Sequence, residues 1–292
     1  MRRLRRAAIL ASIALLGAPC ALHAEDSLGL RVEGTVSADS NVTRSRGADK
    51  LSDIAYGISV AKTYMVPLSA NTRLTVLGTA GTERFDRYHG LSRIYLDVNG
   101  EIQYRSSGEF DAPTFGVFLR STVEQYQSRL RDGYRHSLGA RVLQPLSTEL
   151  DLFAAVARNV RDGKSTVFDN RDYSFRLNLD YSVSARGTLY GGGELRRGDI
   201  VSTARPTLSY LDVAEAIVRD DVFTDTVRQA YRLRANTRIA TLGYNLGLRP
   251  GHSLDVSLRW VRSTSLARPS FPGGEAIRYY DAQAGIAYLV SF

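Results

Sequence analysis

The chain has 292 residues, a formal net charge of +8 and a single cysteine. The charge does not point to nucleic acid: residues 1–24 carry four arginines and no acid, so their removal takes it from +8 to +4 over the remaining 268 residues, and no nucleic-acid partner is expected. Beyond residue 24 no apolar run approaches the ~20 residues that a membrane helix requires.

The first segment reads as a cleaved signal peptide, 1–24. Arg2, Arg3, Arg5 and Arg6 form a positive head, Ala7 to Leu16 is uncharged and apolar, and Ala24 is a small residue before Glu25-Asp26. Cys20 follows Pro19, a poor neighbour for lipoprotein cleavage, and is lost with the leader, which leaves no thiolate for a disulfide, metal or catalysis.

From Leu28 onward the chain alternates with period two, the signature of strands with one apolar face. Leu28, Leu30, Val32, Val36 and Ala38 alternate with Arg31, Glu33, Thr35 and Ser37 in the first predicted strand. Strands two and three centre on Ile54 to Val60 and Leu74 to Ala80, and the fourth sets Ile94, Leu96, Val98, Ile102 and Tyr104 against Asp97, Asn99, Glu101 and Gln103. Strands five to seven run through Phe115 to Val123, Leu138 to Val142 and Leu150 to Val156. The eighth alternates strictly from Tyr173 to Val183, and the ninth spans Leu189 to Leu195. The tenth sets Tyr231, Leu233, Ala235, Thr237 and Ile239 against Arg232, Arg234, Asn236 and Arg238, and the eleventh runs from Leu254 to Trp260. Connections alternate between turn-like segments, as at Gln144-Pro145-Leu146-Ser147-Thr148 and Arg249-Pro250-Gly251-His252, and charged loops, the longest from Asp199 to Arg228.

The last stretch, Ala276 to Phe292, places Tyr280, Ala282, Ala284, Ile286, Tyr288, Val290 and Phe292 on one face and Asp281, Gln283 and Gly285 on the other. This ending resembles the C-terminal signature of Gram-negative outer-membrane β-barrels, an alternating final strand closing on Phe. The segment Asp39-Ser40-Asn41-Val42, followed by Ser52-Asp53, resembles the opening hairpin of β-barrel porins of unassigned function. The first resemblance implies an assembly signal at Tyr288, Val290 and Phe292, read by the barrel-assembly machinery, and a location in the cell outer membrane among outer-membrane lipid and lipopolysaccharide.

The expected fold is therefore all-β: residues 25–292 form a single closed antiparallel transmembrane β-barrel of about 12 strands, with 10 or 14 also fitting the pattern. Tyr56, Tyr104, Tyr173, Tyr181, Tyr231, Tyr244, Trp260 and Tyr280 are expected to form rim girdles. The alternation assigns Arg31, Arg120, Arg141, Arg176, Arg196, Arg232, Arg234, Arg238, Arg259, Glu101, Glu124, Asp180 and Glu194 to the pore lining. Charged side chains suit a wet lumen and would be ruinous in a dry core unless all were paired.

Two readings of this lumen compete. In one, the ladder Arg232, Arg234, Arg238 lines a narrow porin-like channel for small polar or anionic solutes; in the other, arginines brace carboxylates in a plugged structural or surface-interaction barrel. A third reading is a lipid A or phospholipid hydrolase at the outer rim, carried by His89 with Asp86 and Arg87. His136 and Ser137 are adjacent and must point to opposite faces, so they do not form a dyad. No spacing of histidines or carboxylates points to a metal, and no cofactor is expected. Leu211 to Asp221 alternates poorly and reads as a short helix, in a loop that is either an inward-folded lid or a surface flap.

Overall fold

The computed structural model describes residues 29–223 and 227–292; the leader expectation, residues 1–24 with Cys20, lies outside the described residues. Strands run β1 (Leu30–Asp39), β2 (Asp53–Pro67), β3 (Thr72–Phe85), β4 (Arg93–Arg105), β5 (Thr114–Tyr126), β6 (Gly133–Pro145), β7 (Leu150–Gly163), β8 (Asn170–Ser184) and β9 (Gly187–Ala204). After helix α1 (Leu208–Val213) and the short β10 (Ala216–Arg219) come β11 (Gln229–Arg249), β12 (His252–Ser265) and β13 (Arg278–Ser291). Sequential strands pair antiparallel from β1 to β9 and from β10 to β13, β9 pairs with β11, and β13 pairs with β1 from Arg31↔Ser291 to Asp39↔Gln283. The result is a closed 12-strand barrel with β10 as an extra strand inside a loop.

The two ends differ in build more than in length. Loops L1 (40–52), L2 (86–92), L3 (127–132) and L4 (164–169) share one end with L5 (205–228) and L6 (266–277), and L1 to L4 each contain a single 3-10 turn. L2 to L4 are no longer than the connection 106–113 at the opposite end, because their strands run closer to the tips than alternation alone indicated. L1, L5 and L6 carry the extra length.

Register partners share a face, so one assignment propagates around the barrel. Outward rows are apolar: Phe175, Leu195, Leu242, Leu258, Ile286, Val36, Ile58, Val98, Leu119 and Leu138 are all exposed. Tyr56 and Tyr64, Tyr173 and Tyr181, and Tyr280 and Tyr288 are outward pairs spaced eight residues apart. That spacing covers about 26 Å along a strand, or about 20 Å of height once tilted. An apolar belt between aromatic girdles is the surface that hydrocarbon demands, and closure pairs every strand edge within it.

One expectation is overturned at β11. Tyr231, Leu233, Ala235 and Ile239 are buried on the inward face, whereas Arg234, Asn236, Arg238, Ala240, Leu242 and Tyr244 point outward. Register confirms the phase, because Arg238 shares a row with exposed Leu195 and Tyr280, and Ile239 with Glu194. Tyr231 therefore belongs to no girdle. The cause is reach: β9 and β11 extend past their neighbours at the loop end, where the inside is packed with loop and no longer wet.

Inside the wall, one glycine is required by packing. A Cβ on Gly243 would lie 2.2 Å from the ring of Tyr190, which crosses its strand. In lipid vesicles Leu242→Arg should destabilise the barrel by about 2–4 kcal/mol, as expected near a bilayer midplane, while inward Thr241→Arg costs far less; denaturant titration of the reconstituted protein measures the difference.

Candidate functional site: the lumen and its cap

Inward side chains from neighbouring strands form ion-paired rungs. Arg120 Nε lies 2.9 Å from Asp97, and Arg141 reaches across β5 to Glu101, passing over Gly116, where a Cβ would lie 2.1 Å from the Glu101 carboxylate. Glu194 takes Arg196 at 2.6 Å and Arg176 at 3.3 Å. Glu124, with its side chain fully buried, holds Arg93 together with Arg135 at 3.4 Å and Arg161 at 3.3 Å. Three guanidiniums on one carboxylate leave little freedom to any of them. Nearer the turn end the lumen is more acidic: Asp151 and Asp180 face each other in register, and Asp255 accepts a hydrogen bond from Tyr190 at 2.9 Å. Arg259 donates to the Gln283 amide oxygen at 2.8 Å, and Arg31 lies in the row of Ala61 and Ser291.

The sequence-assigned lining residues thus divide. Arg31, Arg120, Arg141, Arg176, Arg196, Arg259, Glu101, Glu124, Asp180 and Glu194 face inward by register. Arg232, Arg234 and Arg238 do not: they lie on the outward face of β11, with Arg232 bonded to the Thr166 carbonyl at 2.6 Å and set 3.7 Å from Glu215. The ladder was misassigned because its apolar partners on β11 face a packed interior and not lipid. Tyr288, Val290 and Phe292 lie together on the outward face of the closing strand, where Tyr288 and Phe292 are exposed.

Sequence reasoning missed the residues that hold the mouth. L5 folds inward as a cap: Tyr210 of α1 is buried against Tyr231, Leu233, Ala204 and Ile277, while β10 adds its four residues to β11 above the last rows paired with β12. The helix expectation at 211–221 holds for its first residues only, since 216–219 is strand. Val218 and Ala216 pack near Val167 and Phe168 of L4, and Phe223 stacks obliquely on Tyr88 of L2 at 5.0 Å. Ser128 of L3 donates to Asp221 at 2.5 Å, Arg228 donates to the Asp49 carbonyl of L1 at 2.9 Å, and Ser270 of L6 donates to Asp212 at 3.1 Å. L1 meets β9 directly, through Thr203 N–H to Thr43 O at 2.7 Å and Ser202 Oγ to Arg44 O at 2.6 Å.

Asp220 is the latch of this cap. Its carboxylate receives Arg131 in a bidentate pair at 2.8 and 2.7 Å, Thr203 Oγ1 at 2.7 Å and the Val222 amide at 3.1 Å. Arg131 also lies 4.3 Å from the centre of the Phe168 ring, a cation over an aromatic face. Burial alone would raise the Asp220 pKa, but the Arg131 charge and these hydrogen bonds outweigh it and hold the carboxyl below its ordinary 3.8. A signal existed in retrospect: the phase of apolar alternation in β11 shifts between Ile239 and Ala240, which marks where the inside changes from wet to packed.

His89, the histidine of the hydrolase reading, lies in L2, and His136 and Ser137 are on opposite faces as expected. His89 Nδ1 donates to the Phe85 carbonyl at 2.8 Å, within its own turn. His136 points outward and meets Ser121 across the strand pair at 3.1 Å, while Ser137 points inward to Asn159. Among the described residues no cluster of three or more His, Cys, Asp or Glu is arranged to hold a metal.

No family model matches the chain, and no curated protein matches its sequence. Among solved structures, an outer-membrane channel from Pseudomonas putida F1 is similar with a TM-score of 0.56 at 13% identity, over 94% of this chain and 100% of that one. The NanC porin scores 0.44 at 8% identity over 89% of this chain and 98% of its own. The KdgM porin, in complex with disordered oligogalacturonate, scores 0.45 at 8% over 90% and 99%. The fold is that of the outer-membrane β-barrels.

Arg131→Ala leaves a buried carboxylate without its charge partner and should weaken the cap locally by about 3–5 kcal/mol; amide exchange over 216–223 accelerates while β2 to β8 stay protected. Because the folded pKa of Asp220 is depressed, its contribution is present above pH 3.8 and is lost as the pH falls through the lower folded value. Exchange in the cap should accordingly rise only in acid below about pH 3.8, and Asp220→Asn should abolish that pH step.

Proposed function

We propose that the chain is a narrow outer-membrane channel for small polar solutes, set in the cell outer membrane with L1 to L6 outside and the L5 cap over its entrance. The observation that carries this reading is the pairing of an apolar outward belt with an inward wall of arginine–carboxylate rungs, a combination that suits lipid outside and water inside. Similarity to outer-membrane channels supports the fold that the reading needs. Tyr288, Val290 and Phe292 on the closing strand are proposed as the residues that the barrel-assembly machinery reads.

The expected preference for anions changes with the placement of the ladder. With Arg232, Arg234 and Arg238 outside, most of the named inward arginines face a carboxylate, while Asp151, Asp180 and Asp255 add acidity near the turn end. Field lines between close opposite charges run across the lumen and give little net bias along it. A channel with weak ion selectivity follows.

A second reading, a braced barrel closed at its mouth, is favoured by one observation, the contacts that L5 makes with every other outer loop. Planar-bilayer recording separates the two. The channel reading expects small unitary currents with cation and anion permeabilities within about a factor of two, and larger currents when 206–227 is replaced by a short glycine-serine turn. Absence of current from this cap-deleted barrel would retire the channel in favour of the closed barrel.

A further inference from the structure

We propose that the outward face of β9, β11 and β12 at the loop end binds the phosphorylated headgroup of an outer-leaflet lipid, the lipid A part of lipopolysaccharide. The inference rests on the outer-membrane reading above and uses the residues that the pore could not absorb.

Arg238 and Arg262 are directly opposite each other on neighbouring strands. Directly opposed side chains place their Cβ atoms about 5 Å apart, and like charges there repel. Neither has a carboxylate partner among the described residues, and their row continues to Leu195 on one side and Tyr280 on the other. The Arg262 guanidinium lies 5.4 Å from the centre of the Tyr280 ring, which holds it at the wall. The next outward row towards the loops runs Arg197, Asn236, Thr264 and Arg278, with a cation at each end and neutral residues between them. A repulsive pair of this kind is relieved by an anion between the two forks, and phosphate matches the guanidinium geometry in two hydrogen bonds.

The rest of the surface says that the anion carries acyl chains. A groove of about 480 Å³ runs beside the pair, bordered by Lys50 of L1, Arg238, Arg262, Trp260, Ala240 and Ala282, and by Asp281, whose carboxylate is paired with Arg44. Towards the turn end the next outward rows are Ala240, Trp260 and Ala282, then Leu242, Leu258 and Ala284, which begin the apolar belt. Cations sit at the aromatic rim and small or apolar residues below it, so a phosphate at the arginines leaves its chains against the belt. A soluble anion would use the charges and ignore the groove.

Trp260 is the single tryptophan of the chain, and its emission therefore reports this groove. The full-length protein in phosphatidylcholine vesicles is titrated with bisphosphorylated lipid A, with lipid A stripped of phosphate, and with inorganic phosphate. Expected are a saturable change in Trp260 emission with the first probe only, and apparent affinity about fivefold weaker for Arg238→Gln and for Arg262→Gln, the effect of about one interfacial charge. Heat-modifiable gel mobility verifies that each variant is folded. Equal curves for the two lipids, or wild-type affinity in the double variant, overturn the site. The same change with inorganic phosphate alone overturns the lipid in favour of a free-anion site. Failure of the wild-type chain to insert into vesicles overturns the outer-membrane reading and this inference with it.

Discussion

Closure of the hydrogen-bonded cylinder is the constraint from which the rest follows. Hydrocarbon offers no partner to an amide or carbonyl, so each strand needs a neighbour on both edges, and the β13–β1 register from Arg31↔Ser291 to Asp39↔Gln283 supplies the last one. Once the cylinder is closed, every side chain has only two destinations. Outward means the apolar belt between the tyrosine girdles, and inward means whatever fills the lumen at that height. The closing strand serves both, with Ile286 and Tyr288 outward and Asp281 and Gln283 inward beside Asp39.

That two-destination rule explains what could be read from the sequence. Strand positions, strand number and barrel closure were legible because an apolar outside and a polar inside enforce alternation along the middle of each strand, as in Tyr173 to Val183. Inward placement of Arg120, Arg141 and Glu194 was legible for the same reason. The top of β11 was not, since the assignment of apolar residues to lipid holds only within the belt. Above it, Tyr231 and Leu233 are apolar because they pack against Tyr210, and Arg232 between them lies on the other face, where it meets the Thr166 carbonyl of L4 and Glu215. Alternation reports that two faces differ; it does not report which face is dry.

The cap was illegible for another reason. Its contacts join residues far apart in sequence, such as Arg131 with Asp220 and Tyr88 with Phe223, and neither partner carries a local pattern that announces the other. Its chemistry also differs from that of the lumen. In the rungs at Glu194 and Asp97 the arginines are partly exposed, whereas at Asp220 both partners are buried and the carboxylate depends on four hydrogen bonds to remain charged. Removing one partner of such a buried pair leaves an uncompensated charge, so the position of the cap depends on Arg131 and Asp220 together.

Arginine is used in three environments here, and the distinction lies in what each guanidinium meets. In the lumen it meets a carboxylate across a strand and cancels charge, as Arg120 does with Asp97; in the cap it meets a buried carboxylate and an aromatic ring, as Arg131 does. On the outer face Arg238 and Arg262 are opposite each other in register, with the Arg262 guanidinium by the Tyr280 ring. The first two arrangements are complete within the chain. The third has no carboxylate among the described residues, and like charges directly opposite each other on neighbouring strands repel. The strand that was expected to line the interior with arginine thereby places Arg234 and Arg238 on the exterior.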